Sequence, residues 1–293
     1  MGKKIAFGWY GGKYSHLTFL LPLLPQTKHY CEPFGGSAAV LLNREPSPVE
    51  TYNDLDSELV NFFRVLRNQK EALIEQIGLT PFSKEELAIA ATAPEEEISD
   101  LERARRFFVC ARQVRTGLAQ TASVGRWAHC RLTSRAGMAG AVSRWLGSVD
   151  GLAEIAQRLL RVQIENAPAV EVIDRYDSEQ TLFYCDPPYV HESRGDSNAY
   201  AFEMTDDEHR ELAERLHSVD GYVALSGYHC DLMDELYGDW TSVEYTKRAH
   251  SVKQDRTEVL WVNYPVHKNE SGKYVCQSPQ QFSKTLFSGQ REV

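Results

Sequence analysis

The residues of this 293-residue chain that most directly suggest chemistry are Asp186-Pro187-Pro188-Tyr189. They follow the apolar run 182–185, so they stand at the carboxyl end of an expected strand, where open α/β sheets bind ligands. Two prolines remove two backbone N–H donors and stiffen the turn. The Asp186 carboxylate and nearby carbonyl oxygens then form a rigid row of acceptors, with the flat ring of Tyr189 beside them. That row suits a planar aminopurine. A base stacked on Tyr189 gains about 1–3 kcal/mol, and its exocyclic amine can donate one hydrogen to Asp186 and another to the Pro187 carbonyl. The lone pair of such an amine is delocalised into the ring. Two fixed acceptors favour the tetrahedral geometry that frees it, and Asp186 can take up the released proton. Taken alone, the tetrapeptide also fits a Pro-rich turn with an ordinary surface Asp.

Three further groups carry polar or glycine chemistry. Glu32-Pro33-Phe34-Gly35-Gly36-Ser37 lies between a strand pattern and the apolar run 38–42. Its glycines would let backbone approach a ligand closely, although a plain strand-to-helix turn uses the same residues. Asp54, in Tyr52-Asn53-Asp54-Leu55, lies about 20 residues further on, where nucleotide-binding α/β folds place a carboxylate for ribose hydroxyls. As a single residue it fits a helix N-cap equally well. Phe7-Gly8-Trp9-Tyr10-Gly11-Gly12-Lys13-Tyr14 is an aromatic-glycine cluster ending in a cation. It would serve as a hydrophobic flap with a charge for a ligand carboxylate, or as an N-terminal strand and hairpin.

The elements that must position these groups read as α/β. Short apolar runs at 28–32, 49–52, 162–164, 181–185 and 222–225 look like buried strands of a parallel sheet. Helical patterns alternate with them. The segment 54–77 carries Leu55, Leu59, Phe62, Phe63, Leu66, Leu73 and Ile77 at helical spacing, and Thr205-x-x-Glu208 is a capping box before 206–216. The pattern predicts a catalytic domain over 1–77 and 150–265, an inserted helical domain over 78–149, and a poorly ordered polar tail over 266–293. The polar loop 190–204, with Gly195, Asp196, Ser197 and Asn198, is expected to order on ligand binding, with Tyr200 and Phe202 packing nearby.

Composition bounds the function. Hydrophobic residues make up 42% and charged residues 25%, as in a water-soluble globular protein. No run is apolar and long enough to span a bilayer, and no signal peptide is evident. The six cysteines are scattered without Cys-x-x-Cys, and the pairs His129-Cys130 and His229-Cys230 lack partners at metal spacing. The expectation is a cytoplasmic protein, a monomer, with reduced thiols and no metal or membrane partner. The net charge of −9 argues against a generally sticky polyanion binder. Positive charge is instead local. From 103 to 149 there is no Asp or Glu and no Lys, but Arg103, Arg105, Arg106, Arg112, Arg115, Arg126, Arg131, Arg135 and Arg144 are present. Arginine forks suit phosphates and guanine edges, so a nucleic-acid surface is expected there. A solvated helical face would normally mix both signs.

The order of these motifs resembles the Dam-type (D12 class, alpha group) DNA adenine methyltransferases over residues 5–265. Trp9 to Lys13 match that family's Trp-x-Gly-Gly-Lys, Pro33 to Ser37 a degenerate glycine motif, Asp54 its acidic turn, and Asp186 to Tyr189 its Asp-Pro-Pro-Tyr. The resemblance implies a Rossmann-like S-adenosylmethionine-dependent methyltransferase fold, with a mixed, mostly parallel seven-stranded sheet that would include 258–264, and an inserted helical target-recognition domain. It implies S-adenosylmethionine as cofactor, contacted by Trp9, Gly12, Lys13, Phe34, Gly35, Gly36, Ser37, Asp54 and Asp186. Asp186, Pro187, Pro188 and Tyr189 would hold an adenine flipped from double-stranded DNA for methylation at N6. Arg112, Arg115, Arg126, Arg131 and Arg135 are the candidate DNA contacts. Two departures stand out. The glycine positions in Phe-Gly-Gly-Ser differ from the family's, and 111–118 lack the Asn residues of GATC-methylating relatives, so GATC is not the expected target. Rival readings are N4 of cytosine, an RNA or protein substrate, and a non-catalytic DNA-binding protein. The joint presence of Lys13, Asp54 and Asp186 counts against the last.

Overall fold

The computed structural model describes residues 3–117, 119, 122–190, 202–247 and 256–276. Its strands are β1 (His29–Glu32), β2 (Val49–Asn53), β3 (Ser134–Arg135), β4 (Met138–Ala139), β5 (Gln163–Glu165), β6 (Thr181–Cys185), β7 (Tyr222–Gly227), β8 (Thr241–Lys247), β9 (Arg256–Val262), β10 (Val266–Lys268) and β11 (Tyr274–Cys276). Its α-helices are α1 (Leu17–Leu20), α2 (Ala39–Asn43), α3 (Ser57–Asn68), α4 (Lys70–Leu79), α5 (Lys84–Ala91), α6 (Asp100–Gln113), α7 (Gly140–Asp150), α8 (Leu152–Leu159), α9 (Ala169–Tyr176), α10 (Asp206–Ser218) and α11 (Asp231–Tyr237).

The main sheet has seven strands in the order β5-β2-β1-β6-β7-β9-β8. Strand β1 is parallel to β2 and to β6, and β6 is parallel to β7. Strand β9 runs antiparallel to β7 and β8. This is the mixed, mostly parallel seven-stranded α/β sheet that the resemblance implies. Every residue of β6 is buried, as a strand covered on both faces requires. The chain passes from β1 to β2 on one side and from β6 to β7 on the other. The topological switch point therefore lies between β1 and β6, the place where such sheets open a ligand crevice.

The chain divides into two compact units, one of Met1–Tyr14, Gly36–Asn43 and Asp54–Asn166, the other of Ser15–Gly35, Arg44–Asn53 and Ala167–Val293. In the second, Phe183, Cys185, Leu212, Leu216, Val223, Leu225, Tyr237 and Trp261 share one apolar core. Helix α10 docks Leu212 and Leu216 there, and its N-terminus is closed by the anticipated Thr205/Glu208 capping box. In the first, α3 presents Leu59, Phe62, Phe63 and Leu66, the i, i+3, i+4, i+7 stripe of a core-facing helix. Phe7 meets Phe62 and Phe107 edge-on, each at 5.3 Å, and Phe62 stacks on Phe108 of α6 at 5.6 Å. Truncating one such ring to Ala costs about 3–5 kcal/mol.

Three expectations are corrected. The segment 54–77 is not one helix: the chain turns at Gln69 (φ −132°, ψ 40°) between α3 and α4. Leu66, Leu73 and Ile77 keep helical spacing across the bend, so periodicity carries no trace of it. The edge strand β8 was absent from the apolar runs, because only Val243 among its residues 241–245 is buried. Finally, 266–268 and 274–276, read as poorly ordered tail, pair as an antiparallel hairpin. Gly195, Asp196, Ser197, Asn198, Tyr200 and residues 277–293 lie outside the described residues. Of the same loop, Phe202 is exposed and Met204 packs on the core of its unit.

Candidate active site

The carboxyl edge of the parallel strands carries the first group. In register, Cys31 of β1 sits beside Phe183 of β6, so the segments leaving both strands emerge side by side at the switch point. After β1 the chain passes through Glu32, Pro33, Phe34 and Gly35. Gly35 N–H donates to the Asn53 carbonyl at 2.8 Å. A Cβ at Gly35 would collide with the Tyr52 ring and come within 2.9 Å of Asn53 O, so only glycine permits this approach. Buried Asn53 donates to the carbonyls of Pro33 (2.8 Å) and Ala167 (3.0 Å) and accepts from Ala167 N–H at 3.0 Å. One side chain thus ties the ends of β1 and β2 to the start of α9. Glu32 is buried and accepts from the Tyr30 hydroxyl at 2.6 Å.

After β6 the chain runs through half-buried Asp186, buried Pro187, half-buried Pro188 and Tyr189. Tyr189 is 5% exposed, and Tyr228 meets its ring edge-on at 4.7 Å and 82°. The ring is therefore buried and packed at its rim. The Tyr189 hydroxyl donates to Glu258 Oε2 at 3.5 Å. Behind Asp186, burial first and the Asp186 charge second push the Tyr184 hydroxyl well above its usual range, and it hydrogen-bonds with Ser226 at 2.9 Å. The same two causes, in the same order, push the Cys185 thiol far up. A thiol held neutral is no nucleophile, so Cys185 serves as packing.

The other unit gathers the second group. Residues 9–12 form a turn closed by Gly12 N–H to Trp9 O at 3.0 Å, with Gly11 at φ +69°. Lys13 is buried and donates to Gly11 O at 2.8 Å. Gly36 has φ +48°, and a Cβ there would lie 2.9 Å from Trp9 Cδ1. Ser37 is buried. The Gly36 N–H donates to Asp54 Oδ2 at 2.8 Å, and Asp56 N–H to Asp54 Oδ1 at 2.9 Å. Burial nevertheless raises the Asp54 carboxyl to about 6, against the lowering effect of those donors. The helix cap is Asp56, which accepts from Glu58 and Leu59 N–H at 3.0 and 3.2 Å. Asp54 is thus no cap, and motifs far apart in sequence converge: Trp9 touches Gly36, and Gly36 binds Asp54.

The arginine-rich segment splits in two. Arg103, Arg105 and Arg106 of α6 are held by Glu58, Asp100, Glu86 and Glu102, with Arg105 donating to Glu102 at 2.7 and 2.8 Å. These arginines brace helices, contrary to the nucleic-acid surface expected of the whole run. The later ones differ. Arg115, Arg126, Arg131 and Arg135 are exposed. Arg115 donates to Gly125 O at 3.1 Å across the Val114–Trp127 bridge. Arg112, Arg135 and Arg144 line a cleft of about 560 Å³ with Met138, Leu146 and Asp150. Burial and the Arg144 charge lower the Arg112 pKa. Arg135 lies on the β3–β4 hairpin, whose turn holds Ala136 and Gly137 at φ +51° and +76°. Among the described residues, no cluster of three His, Cys, Asp or Glu could hold a metal, and no helix is long and apolar enough to cross a membrane.

The model of the D12 class of N6 adenine-specific DNA methyltransferases matches residues 9–257, from Trp9 through Asp186 and beyond. The chain belongs to this family. It is 26% identical over 282 residues to a type II methyltransferase of Lactococcus lactis subsp. cremoris, covering 87% of this chain and 94% of that one. It is 25% identical over 244 residues to the DNA N-6-adenine-methyltransferase of Escherichia phage P1, covering 80% of this chain and 31% of that longer protein. Over 79 residues, 26% of this chain and 27% of the other, it is 35% identical to a DNA adenine methylase of Vibrio cholerae. It is an adenine-specific DNA methyltransferase by family. Glu258, which the sequence did not single out, stands 69 positions from its partner Tyr189, a separation that leaves no local signal.

Proposed function

We propose that this methyltransferase transfers a methyl group from S-adenosylmethionine to N6 of an adenine flipped out of double-stranded DNA, at a target other than GATC. The observation that carries this reading is the Asp186–Tyr189 turn at the carboxyl end of β6, beside the switch point.

The residues present suit that cofactor. Asp54 offers acceptor oxygens for ribose hydroxyls, and a carboxyl raised to about 6 gains from such donors. Gly35, Gly36 and Gly12 leave no room for side chains, so backbone lines the approach. Trp9, Lys13, Phe34 and Ser37 complete the set, Lys13 supplying positive charge for a carboxylate. When bound, S-adenosylmethionine supplies a methyl group activated on a sulfonium sulfur, which the adenine nitrogen displaces to leave a neutral thioether.

The protein supplies everything else. Asp186 and the Pro187 carbonyl accept the two N6 hydrogens and turn the lone pair out of conjugation. Asp186 holds the proton that N6 releases. Pro188 keeps the acceptor row rigid, and Tyr189 bounds the base. Flipping is required because N6 is unreachable for in-line attack within a duplex. Arg112, Arg115, Arg126, Arg131 and Arg135 contact phosphates and base edges.

The test is expression in cells that lack adenine methylation, followed by genome-wide mapping of N6-methyladenine. The wild type should mark one sequence context. Asp186→Ala should lose about 10²–10³-fold or more in rate, as removal of a preorganised acceptor does, with an unchanged melting curve. Methylated cytosine, or activity retained in Asp186→Ala, would overturn the reading.

A further inference from the structure

The proposed chemistry needs Tyr189 in a fixed plane, and the neighbourhood of its hydroxyl holds a device for that purpose. Glu258 stands on β9, opposite Tyr245 of β8, and the following residue, Val259, pairs with Gly227 just before Tyr228. Its two carboxylate oxygens point at different partners. Oε2 accepts from the Tyr189 hydroxyl at 3.5 Å, and Oε1 lies 3.6 Å from His16 Nε2. Both side chains are largely buried, at 15% exposed for Glu258 and 11% for His16. A carboxylate removed from water in this way requires partners. His16 is itself steadied edge-on by Tyr245 at 5.7 Å, and Tyr245 stacks on Phe19 at 4.7 Å. The chain runs Phe19–Tyr245–His16–Glu258–Tyr189–Tyr228, and it ends on the ring that bounds the base. The matched family segment stops at residue 257, so Glu258 lies just outside it.

We propose that Glu258, steadied by His16, is a positioning residue that anchors the far end of the Tyr189 ring through the phenol hydroxyl while Tyr228, set edge-on against it, holds the ring plane. Pro187 and Pro188 set where the ring enters; Glu258 sets where its far end rests. This rests on the proposed role of Tyr189 at the base.

A double-mutant cycle on the full chain tests it, with plasmid DNA free of N6-methyladenine as substrate. Glu258→Ala and Tyr189→Phe should each lower kcat about tenfold, because small misplacements at a reacting centre are costly. KM for S-adenosylmethionine should stay unchanged in both. The double variant should lose about tenfold rather than about a hundredfold, since both changes remove the same hydrogen bond. Glu258→Gln should recover most of the rate, because its amide oxygen still accepts the phenol proton. The melting temperature, followed through the same cycle, should show the same coupling. Multiplicative losses in kcat overturn the inference, as does a Glu258→Ala enzyme that melts early yet keeps its kcat. A wild type that fails to methylate adenine N6 removes the functional reading and the inference with it. An active wild type with an additive cycle removes the inference alone.

Discussion

At the carboxyl edge of the sheet, polar side chains are fixed by partners inside the fold. Asn53 makes three bonds to backbone, Glu32 takes the Tyr30 hydroxyl, and Tyr184 pairs with Ser226. The segment 103–149 is built otherwise. Its first three arginines are tied to carboxylates, while Arg115, Arg126, Arg131 and Arg135 lie exposed. The contrast matches the two tasks proposed above. On that reading methyl transfer demands fixed acceptors, which suits a region whose polar groups are held by the fold, and binding a long polyanion demands cations that face solvent, as these four do.

The sharpest way to break this contrast is at Gly35. An added Cβ meets both the Tyr52 ring and the Asn53 carbonyl, so Gly35→Ala should cost about 3 kcal/mol in chemical denaturation. An unchanged midpoint would show the edge to be soft. Next in size is the cationic region. Replacing Arg112 and Arg135 together by Ala should weaken DNA binding about tenfold or more. The slope of log K against log salt should become shallower by about 0.9 for every phosphate that the variant no longer neutralises, with cofactor affinity unchanged. A loss of cofactor binding instead would erase the division of tasks.

An effect confined to a pH window is expected at Asp54. Its folded carboxyl is raised from 3.8 to about 6, so folding favours the protonated form. Its ionisation therefore removes stability as pH rises from about 4 to about 6, and nothing further is lost above that. Asp54→Asn should gain melting temperature relative to wild type across this window and then level off. Cofactor affinity should move the opposite way: rising through about pH 6 in the wild type, and weak and flat in Asp54→Asn. The smallest change sharpens the split within the arginines. Arg103→Ala should cost under about 1 kcal/mol, as exposed ion pairs do, and should leave DNA affinity alone.

How far the sequence disclosed this architecture varies with the kind of signal. Strand β6 was legible to the residue because every position is apolar or small and buried. The Thr205 capping box was legible because its two partners are three positions apart. The site motifs were legible as types, but not their grouping: nothing local says that Trp9, Gly36 and Asp54 meet, since a positive-φ glycine achieves that in space. The arginine run misled for a related reason. Asp100 and Glu102, which hold Arg103, Arg105 and Arg106, stand just before the acid-free stretch that begins at 103, and Glu58 reaches Arg103 from 45 positions away. The bend at Gln69 and the edge strand β8 escaped because neither disturbs the periodicity of the apolar residues.

The sealed thiol behind Asp186 has a practical corollary. Cys31, Cys110 and Cys185 are buried, whereas Cys130, Cys230 and Cys276 are only partly covered. Alkylating reagents and spectroscopic labels should therefore attach at the latter three first and spare the thiol beside Asp186, so probes that report on motion can be introduced without engineering that thiol away.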